Sequence, residues 1–370
     1  MNDPYTRTPA GKLRAHGLGL RFDGSKGSNN SITDVDGVSV GYCTLIDGQG
    51  QLEVGTGPVR TGVTAILPRP VSRTREPVFA GLFSLNGNGE MTGSHIIEEV
   101  GKFSLPITIT NTHSCGTARD ATIQWAAQHF PDALEDDFAL PVAAETYDGF
   151  LNDINGFHVK PEHVVEAIQS ATTGPIEEGS VGGGTGMKCF DFKAGSGTAS
   201  RRVGYGDETF VVGAFVQANF GERRNLTLLG RPLGAELEHP EMRRNTDDLS
   251  KSSIIVILAT DAPFMPHQLK RLARRSTFGI GRVGGLAHHG SGDIFLAFST
   301  ANTQIAAGSQ DELCSASFIP DERIDPFFDA VAQVVEEAIV NSMTVNSDVT
   351  GRDGNFVPAL PHSKVREAFS

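Results

Sequence analysis

The sequence predicts a layered α/β fold, with sheets covered by helices. Three observations predict it. Strand-like and helix-like segments are both frequent and interleave along the chain. Many of the strand candidates are apolar on both faces, which a sheet open to water on one side does not require. No shift in composition divides the chain, so a single compact domain over residues 1–370 is expected.

Residues 1–29 read as an irregular arm. In "SITDVDGVSVGYCTLI", Val38, Val40 and Tyr42 alternate with small residues after the Asp36-Gly37 turn, as in a strand. "GVTAILPR" (62–69), "PVFAGLFSLN" (77–86) and "LPITITNT" (105–112) are short apolar runs of buried-strand type. "SHIIEEVGKF" is a short helix ending at Gly101. Residues 116–130 place Ala121, Trp125 and Ala126 at helical spacing, and "PVAAETYDG" (141–149) is a strand running into a turn. "KPEHVVEAIQSA" is a helix with Pro161 in its first turn.

Residues 208–221 form a long strand candidate, and 222–250 read as a surface loop. "SIIVILAT" is a central strand, followed by an amphipathic helix with Leu269, Leu272 and Ala273 on one side, and then by the strand "GDIFLAFST". The last long helix is expected to be capped by Asp325. Its apolar stripe is read as Phe328, Val331, Val335, Ala338 and Ile339.

Net charge is −13 and no basic stripe carries interleaved aromatics, so nucleic acid and anionic lipid are excluded as partners. No apolar run is long enough to cross a bilayer. The N-terminal "MNDPYTRTPAGKLRAHGLGLRF" lacks the apolar core of a signal peptide. Four widely separated cysteines suggest free thiols in a reducing compartment, so a cytoplasmic address is expected.

Several motifs read as structure. Gly279-Ile280-Gly281-Arg282-Val283-Gly284 matches a dinucleotide fingerprint, but it follows a helix where a strand is required, so it reads as a helix stop and turn. "VGGGTGMKC" fails the glycine spacing of a phosphate loop. The histidines assemble no metal motif, and no metal or other cofactor is expected. Cys115 reads as a small buried residue, and no nucleophile elbow is present.

The stretch "DDLSKSSIIVILATDAP" (247–263) carries the chemistry. Ser253 is the last polar residue before a buried strand, so the sheet fixes its position; Ser250 and Ser252 are less constrained. "GSGDIF" repeats the arrangement, with Ser291 and Asp293 flanking a glycine where the next strand begins, and is expected to face the same mouth. Tyr147 and Asn219 lie near the ends of strand candidates, where donors can line a cleft. A serine so placed can act without histidine if the chain is cut just before it. Its hydroxyl attacks the Ser252 carbonyl, an N→O acyl shift gives an ester, and water releases the preceding segment. The freed α-amine, with an ordinary pKa of about 7.7–8.0, can then act as general base.

These residues give the sequence its resemblance to the DmpA-type self-processing aminopeptidases, which include L-aminopeptidase/D-amidases and β-peptidyl aminopeptidases. The matching stretches are "SITDVDGVSVGY", "SLNGNGEMTG", "AETYDGFLNDING", "VQANFG", "SIIVILATDAPFMPHQLKRLARR", "GSGDIFLAFST" and "GRDGN", in order along nearly the whole chain. The resemblance implies a four-layer αββα sandwich related to that of the ornithine acetyltransferases. It implies self-cleavage into an α chain (1–252) and a β chain (253–370), a homotetramer, and cofactor-free release of N-terminal amino acids from peptides, amides or esters. By position, Ser253 would be the nucleophile and Ser291 and Asp293 its supporting network. Tyr147 and Asn219 would stabilise the oxyanion, and Glu145 would bind the substrate's ammonium. Two positions depart from the pattern: Ser252 stands where glycine or asparagine is expected, and Asp293 where glutamate is expected. The alternatives are an acyltransferase of the ornithine acetyltransferase type and an uncleaved, non-enzymatic ligand-binding protein.

Overall fold

Apolar residues on both faces of a strand require cover on both sides, and the chain supplies it with helices outside and a second sheet inside. The computed structural model describes residues 3–135, 137–237, 252–306 and 313–370. In chain order, β1 (Ser39–Asp47), β2 (Val59–Leu67) and β3 (Val78–Gly87) precede helix α1 (Ser94–Val100) and β4 (Lys102–Phe103). Next come β5 (Ile107–Asn111), α2 (Cys115–His129), α3 (Pro131–Leu134), β6 (Ala143–Thr146) and α4 (Pro161–Gln169). A short hairpin, β7 (Lys188–Cys189) and β8 (Phe192–Lys193), leads to the long strands β9 (Ser196–Tyr205) and β10 (Glu208–Asn219). A second hairpin, β11 (Thr227–Leu228) and β12 (Arg231–Pro232), comes before β13 (Ser252–Thr260), α5 (Pro266–Arg282), β14 (Ser291–Ser299) and α6 (Asp325–Thr344). The hairpin of β15 (Val349–Thr350) and β16 (Phe356–Val357) and helix α7 (His362–Ala368) complete the described chain.

The smaller sheet has the order β1-β2-β5-β6 and the larger the order β4-β3-β14-β13-β10-β9. β13 and β14 pair in parallel through the α5 crossover, and both neighbours of this central pair are antiparallel. Along β13, Ile254, Val256 and Leu258 join the core under the helices, while Ile255, Ile257 and Ala259 join the core between the sheets. α5 and α6 cover the outer face of the larger sheet; α2 and α4 cover the smaller one through Cys115, Trp125 and Val164. The result is the expected four-layer αββα sandwich.

Several local expectations change. Asp325 is not a cap: Ile324 is already helical and no side chain caps α6. Asp325 instead occupies the first turn, where a carboxylate complements the helix dipole. From Ala330 to Thr344 every residue of α6 except Gln333 is buried, so the helix has no single apolar stripe. Phe327 is the fully buried aromatic, and Phe328 lies under the guanidinium groups of Arg271 and Arg275, at 5.3 and 3.8 Å. Gly279 and Gly281 lie inside α5 and do not stop it; a Cβ on Gly279 would sit 2.6 Å from Cβ of Val335, so this glycine lets α5 approach α6. Only Gly284, at φ +93°, serves the turn.

The N-terminal arm is irregular but not peripheral. Leu18, Leu20 and Phe22 enter the helix-side core, and buried Arg14 bonds Glu178 at 2.6 Å and the Asn30 and Thr198 carbonyls. Leu226, Leu228, Leu233 and Leu237 anchor the segment read as a surface loop; its remainder, 238–250, lies outside the described residues. Gly182–Gly186 form a buried 3-10 turn between the sheets, where a Cβ on Gly183 would lie 2.3 Å from Gln217 Oε1 and 2.5 Å from the Ile109 carbonyl. Those glycines serve close packing.

Candidate active site

The change from polar to apolar sequence at Ser253 coincides with the start of β13. Ser253 is 4 % exposed and stands in register with Asn219 of β10 on one side and Gly292 of β14 on the other. By alternation its hydroxyl shares the face of Ile255 and Ile257, between the sheets. There it lines a cavity of about 380 Å³ together with Asn88, Gly89, Glu90, Thr112, Glu145, Tyr147 and Ser252. Ser250 lies outside the described residues.

Ser291 and Asp293 occupy the other face of the same sheet, alternating with Phe295 and Ala297 toward the helices. Asp293 meets β13 at the Ile254 N–H, and neither residue lines the Ser253 cavity, which their position in sequence had suggested they share. Ser291 Oγ donates to Asp293 Oδ1 at 2.7 Å. Asn86 Nδ2, held by the Ala287 carbonyl at 2.8 Å, lies 3.4 Å from Asp293 Oδ2. Burial pushes the Asp293 carboxyl above its ordinary range; the Ser291 hydroxyl, the Asn86 amide and the Ile254 N–H pull it back. The acid thus holds the N–H of the residue that follows Ser253.

Asn219 ends β10 with its amide spanning two loops. Its Oδ1 accepts from the Lys188 N–H at 3.2 Å and its Nδ2 donates to the Tyr147 carbonyl at 2.9 Å. The Tyr147 phenol lies against Gly149, where a Cβ would sit 2.4 Å from the phenol oxygen. Glu145 lies near the end of β6 in the smaller sheet and is 4 % exposed. Its oxygens accept from the Glu90 N–H at 2.9 Å and from the Thr112 hydroxyl. Thr112 is presented by a 3-10 turn that Asn111 caps, its Oδ1 accepting from Ser114 N–H at 3.0 Å. Burial raises the Glu145 carboxyl, and Glu90 adds to the shift, while the two hydrogen bonds oppose it. The cavity therefore joins one element of each sheet: a serine on the larger and a buried acid on the smaller.

Two glycines let the loop of Asn88 and Gly89 approach β14. A Cβ on Gly292 would lie 2.3 Å from the Asn88 carbonyl oxygen, and Gly89 faces Gly292 from the same loop. Gly292→Ala is expected to displace that loop and destabilise the chain by about 1–3 kcal/mol in thermal unfolding. Gly87→Ala, where a Cβ meets nothing within 4 Å, is the matched control. Equal melting temperatures for the two variants would contradict the close approach.

A model of Peptidase family S58 matches residues 30–357. The chain belongs to peptidase family S58. It is 50% identical over 365 residues to a beta-peptidyl aminopeptidase of Sphingosinicella microcystinivorans, covering 95% of this chain and 91% of that one. It superposes with a TM-score of 0.89 on the L-aminopeptidase D-Ala-esterase/amidase of Ochrobactrum anthropi, at 47% identity over 96% of this chain and 97% of that one. A beta-aminopeptidase of Burkholderia sp. gives 0.87 at 43% identity, with 96% and 98% covered. The Ochrobactrum structure is described as a prototype for the serine aminopeptidases and a variant of the Ntn hydrolase fold. This S58 chain has that fold and is a hydrolase of the serine aminopeptidase kind.

Within this S58 chain, Asn86, Asn88, Met91 and Trp125 are candidates for substrate-binding loops by their place in sequence. Only Asn88 lines the cavity. Asn86 holds Asp293, Met91 packs between the sheets, and Trp125 is buried against His129 and Phe130 under α2. Glu90 and Thr112 were missed; both are exposed polar residues whose only signal is a position shortly after a strand. Cys115 is buried, and burial pushes its thiol up to about 12, so it is no nucleophile. His288 and His289 lie in a loop, and among the described residues no cluster of His, Cys, Asp or Glu could hold a metal. No helix among the described residues is long and apolar enough to cross a membrane.

Proposed function

We propose that this S58 hydrolase is an N-terminal nucleophile serine aminopeptidase/amidase that activates itself by cleavage between Ser252 and Ser253. It releases N-terminal amino acids from peptides, amides or esters. The observation that carries the reading is the single cavity lined by Ser252, Ser253, Tyr147 and buried Glu145.

In the precursor, the Ser253 hydroxyl attacks the Ser252 carbonyl carbon. The C–N bond to Ser253 breaks, the nitrogen takes a proton, and the acyl group passes to Oγ. Water hydrolyses that ester, leaving residues 1–252 with a carboxylate and residues 253–370 with a free amine. In the processed form that amine accepts the hydroxyl's proton as Oγ attacks the substrate carbonyl. Tyr147 and Asn219 stabilise the resulting oxyanion. The proton then passes to the leaving amine, and water frees the amino acid from the serine ester. Ser291 and Asp293 hold the new amine from the sheet's other face. Glu145 binds the substrate's ammonium by a charge-assisted hydrogen bond, which limits the enzyme to free N-termini. The working form is a homotetramer in the cytoplasm.

Intact mass under denaturing conditions tests the reading first. Two fragments, ending at Ser252 and beginning at Ser253, are expected; one species that stays whole on prolonged incubation would contradict it.

Asp293 gives a second expectation. Burial raises its carboxyl, so on acidification it protonates at higher pH than an ordinary aspartate. The fall of kcat/KM on the acid side should therefore begin above the ordinary aspartate range, and Asp293→Asn should lower activity while removing that fall. For stability the sign is the reverse of an ion-paired aspartate. The buried ionised form weighs against folding above the unfolded pKa, and this penalty is relieved as pH falls through the raised folded value. An acid limb identical in Asp293→Asn would assign the titration elsewhere.

A further inference from the structure

The cavity wall holds a second acid that the mechanism above does not use. Among the described residues, the eight that line it include two acids, Glu145 and Glu90, and no lysine, arginine or histidine. They also include no aliphatic side chain that would suit an apolar substrate residue. Glu145 is buried and Glu90 exposed, so the two acids stand at different depths of one cavity. They are joined through the Glu90 N–H, which donates to Glu145 Oε1 at 2.9 Å. Gly89, beside Glu90, lies against Gly292, so the loop that bears the outer acid is seated on the strand next to Ser253. Among the described residues no ion pair reaches either carboxylate. His113, whose charge is felt at Glu145, stacks on Phe157 at 6.1 Å and does not line the cavity.

An inner acid suffices for one ammonium. A second carboxylate with no cationic partner among the described residues, placed farther out in a cavity of about 380 Å³, suits a second positive charge. We propose that Glu90 is a specificity-determining residue that selects substrates whose N-terminal residue carries a cationic side chain, and disfavours acidic ones. The inference rests on the aminopeptidase reading for the role of the cavity, and it adds the class of residue released.

Two arms separate its failure from that of the reading. The first needs no turnover: titration calorimetry of the processed wild-type protein with pentane-1,5-diamine and with pentylamine. The diamine is expected to bind about fivefold to tenfold tighter, as befits a partly solvated charge pair. Glu90→Gln should bring the two affinities close together, and Glu90→Lys should reverse their order. Equal affinities in the wild-type protein, or an unchanged ratio in Glu90→Gln, would overturn the proposal.

The second arm compares kcat/KM for lysine, norleucine and glutamate 4-nitroanilides. The order lysine, norleucine, glutamate is expected, with Glu90→Gln compressing the spread. An equal loss on all three would make Glu90 a structural support for Glu145 and overturn the proposal. Hydrolysis of none of them, beside a diamine preference in the first arm, would count against the aminopeptidase reading and leave the charge selection standing.

Discussion

Ser253→Ala is expected to remain a single unprocessed chain and to lose hydrolysis of amino-acid anilides by at least about 10⁴-fold, the scale of loss when a nucleophile is removed. The effect is large because, on the proposed mechanism, one residue serves three functions. Its hydroxyl breaks the bond before it, the same cut creates the amine that acts as base, and the hydroxyl then attacks the substrate. Neither described serine beside it can substitute: on the proposed mechanism Ser252 lies on the other side of the scissile bond, and Ser291 is on the far face of the sheet. The variant should fold, because the change deletes one oxygen and leaves the β13 pairing with Asn219 and Gly292 intact. Denaturing mass, a cooperative thermal transition and anilide turnover are the three measurements. Hydrolysis retained in a folded Ser253→Ala chain would refute the mechanism.

Tyr147→Phe is expected to lower kcat by about 10²–10³, or roughly 2.7–4 kcal/mol, with a much smaller change in KM. The substitution removes only the phenol oxygen. The Tyr147 main chain stays tied to Asn219 at 2.9 Å, so the turn keeps its shape. A donor aimed where negative charge develops affects the transition state more than the bound substrate. On the proposed mechanism self-cleavage passes through an equivalent oxyanion on the Ser252 carbonyl and should slow in parallel, as fragment appearance against time will show. A loss confined to KM would make Tyr147 a binding residue.

The parts of the fold that were legible in sequence are those where one physical demand dominates. β13 and β14 are apolar on both faces because both faces are covered, and they were readable as such. α6 was readable as a helix but not in its packing: covered on nearly all sides, it buries Glu337 against Arg201 at 2.6 Å and Asn341 against the Thr198 carbonyl, and no periodicity marks such pairs. The Gly182–Gly186 turn was opaque because its Gly183 answers to Gln217 and Ile109 and its Gly186 to Arg60, all far away in sequence.

The site divides in the same way. Ser253 is marked by the polar-to-apolar step, and the Ser291–Asp293 pair by its spacing of two along a strand. Glu145 comes from the other sheet, so only the resemblance connected it to Ser253, while Tyr147, just after the same strand, was marked by its position at a strand end. Periodicity also shows which residues share a face but not which face a cavity opens on, hence the misplaced common mouth for Ser291 and Asp293.

The order of the larger sheet has one further consequence. β14 and β13 stand in its middle, with β4 and β3 on one flank and β10 and β9 on the other. A break before Ser253 therefore produces a fragment whose two strands are clasped on both edges by the fragment it was severed from. Neither piece can leave without unzipping backbone ladders and opening two cores. The proposed maturation is in this sense a nick and not a separation: it would alter the connectivity of the chain and hardly the shape of the molecule. The nick becomes irreversible on denaturation, because two unfolded halves must meet again as separate solutes and interleave their strands. The mature enzyme should consequently refold far less readily than the unprocessed Ser253→Ala chain, even though the two unfold from nearly the same structure.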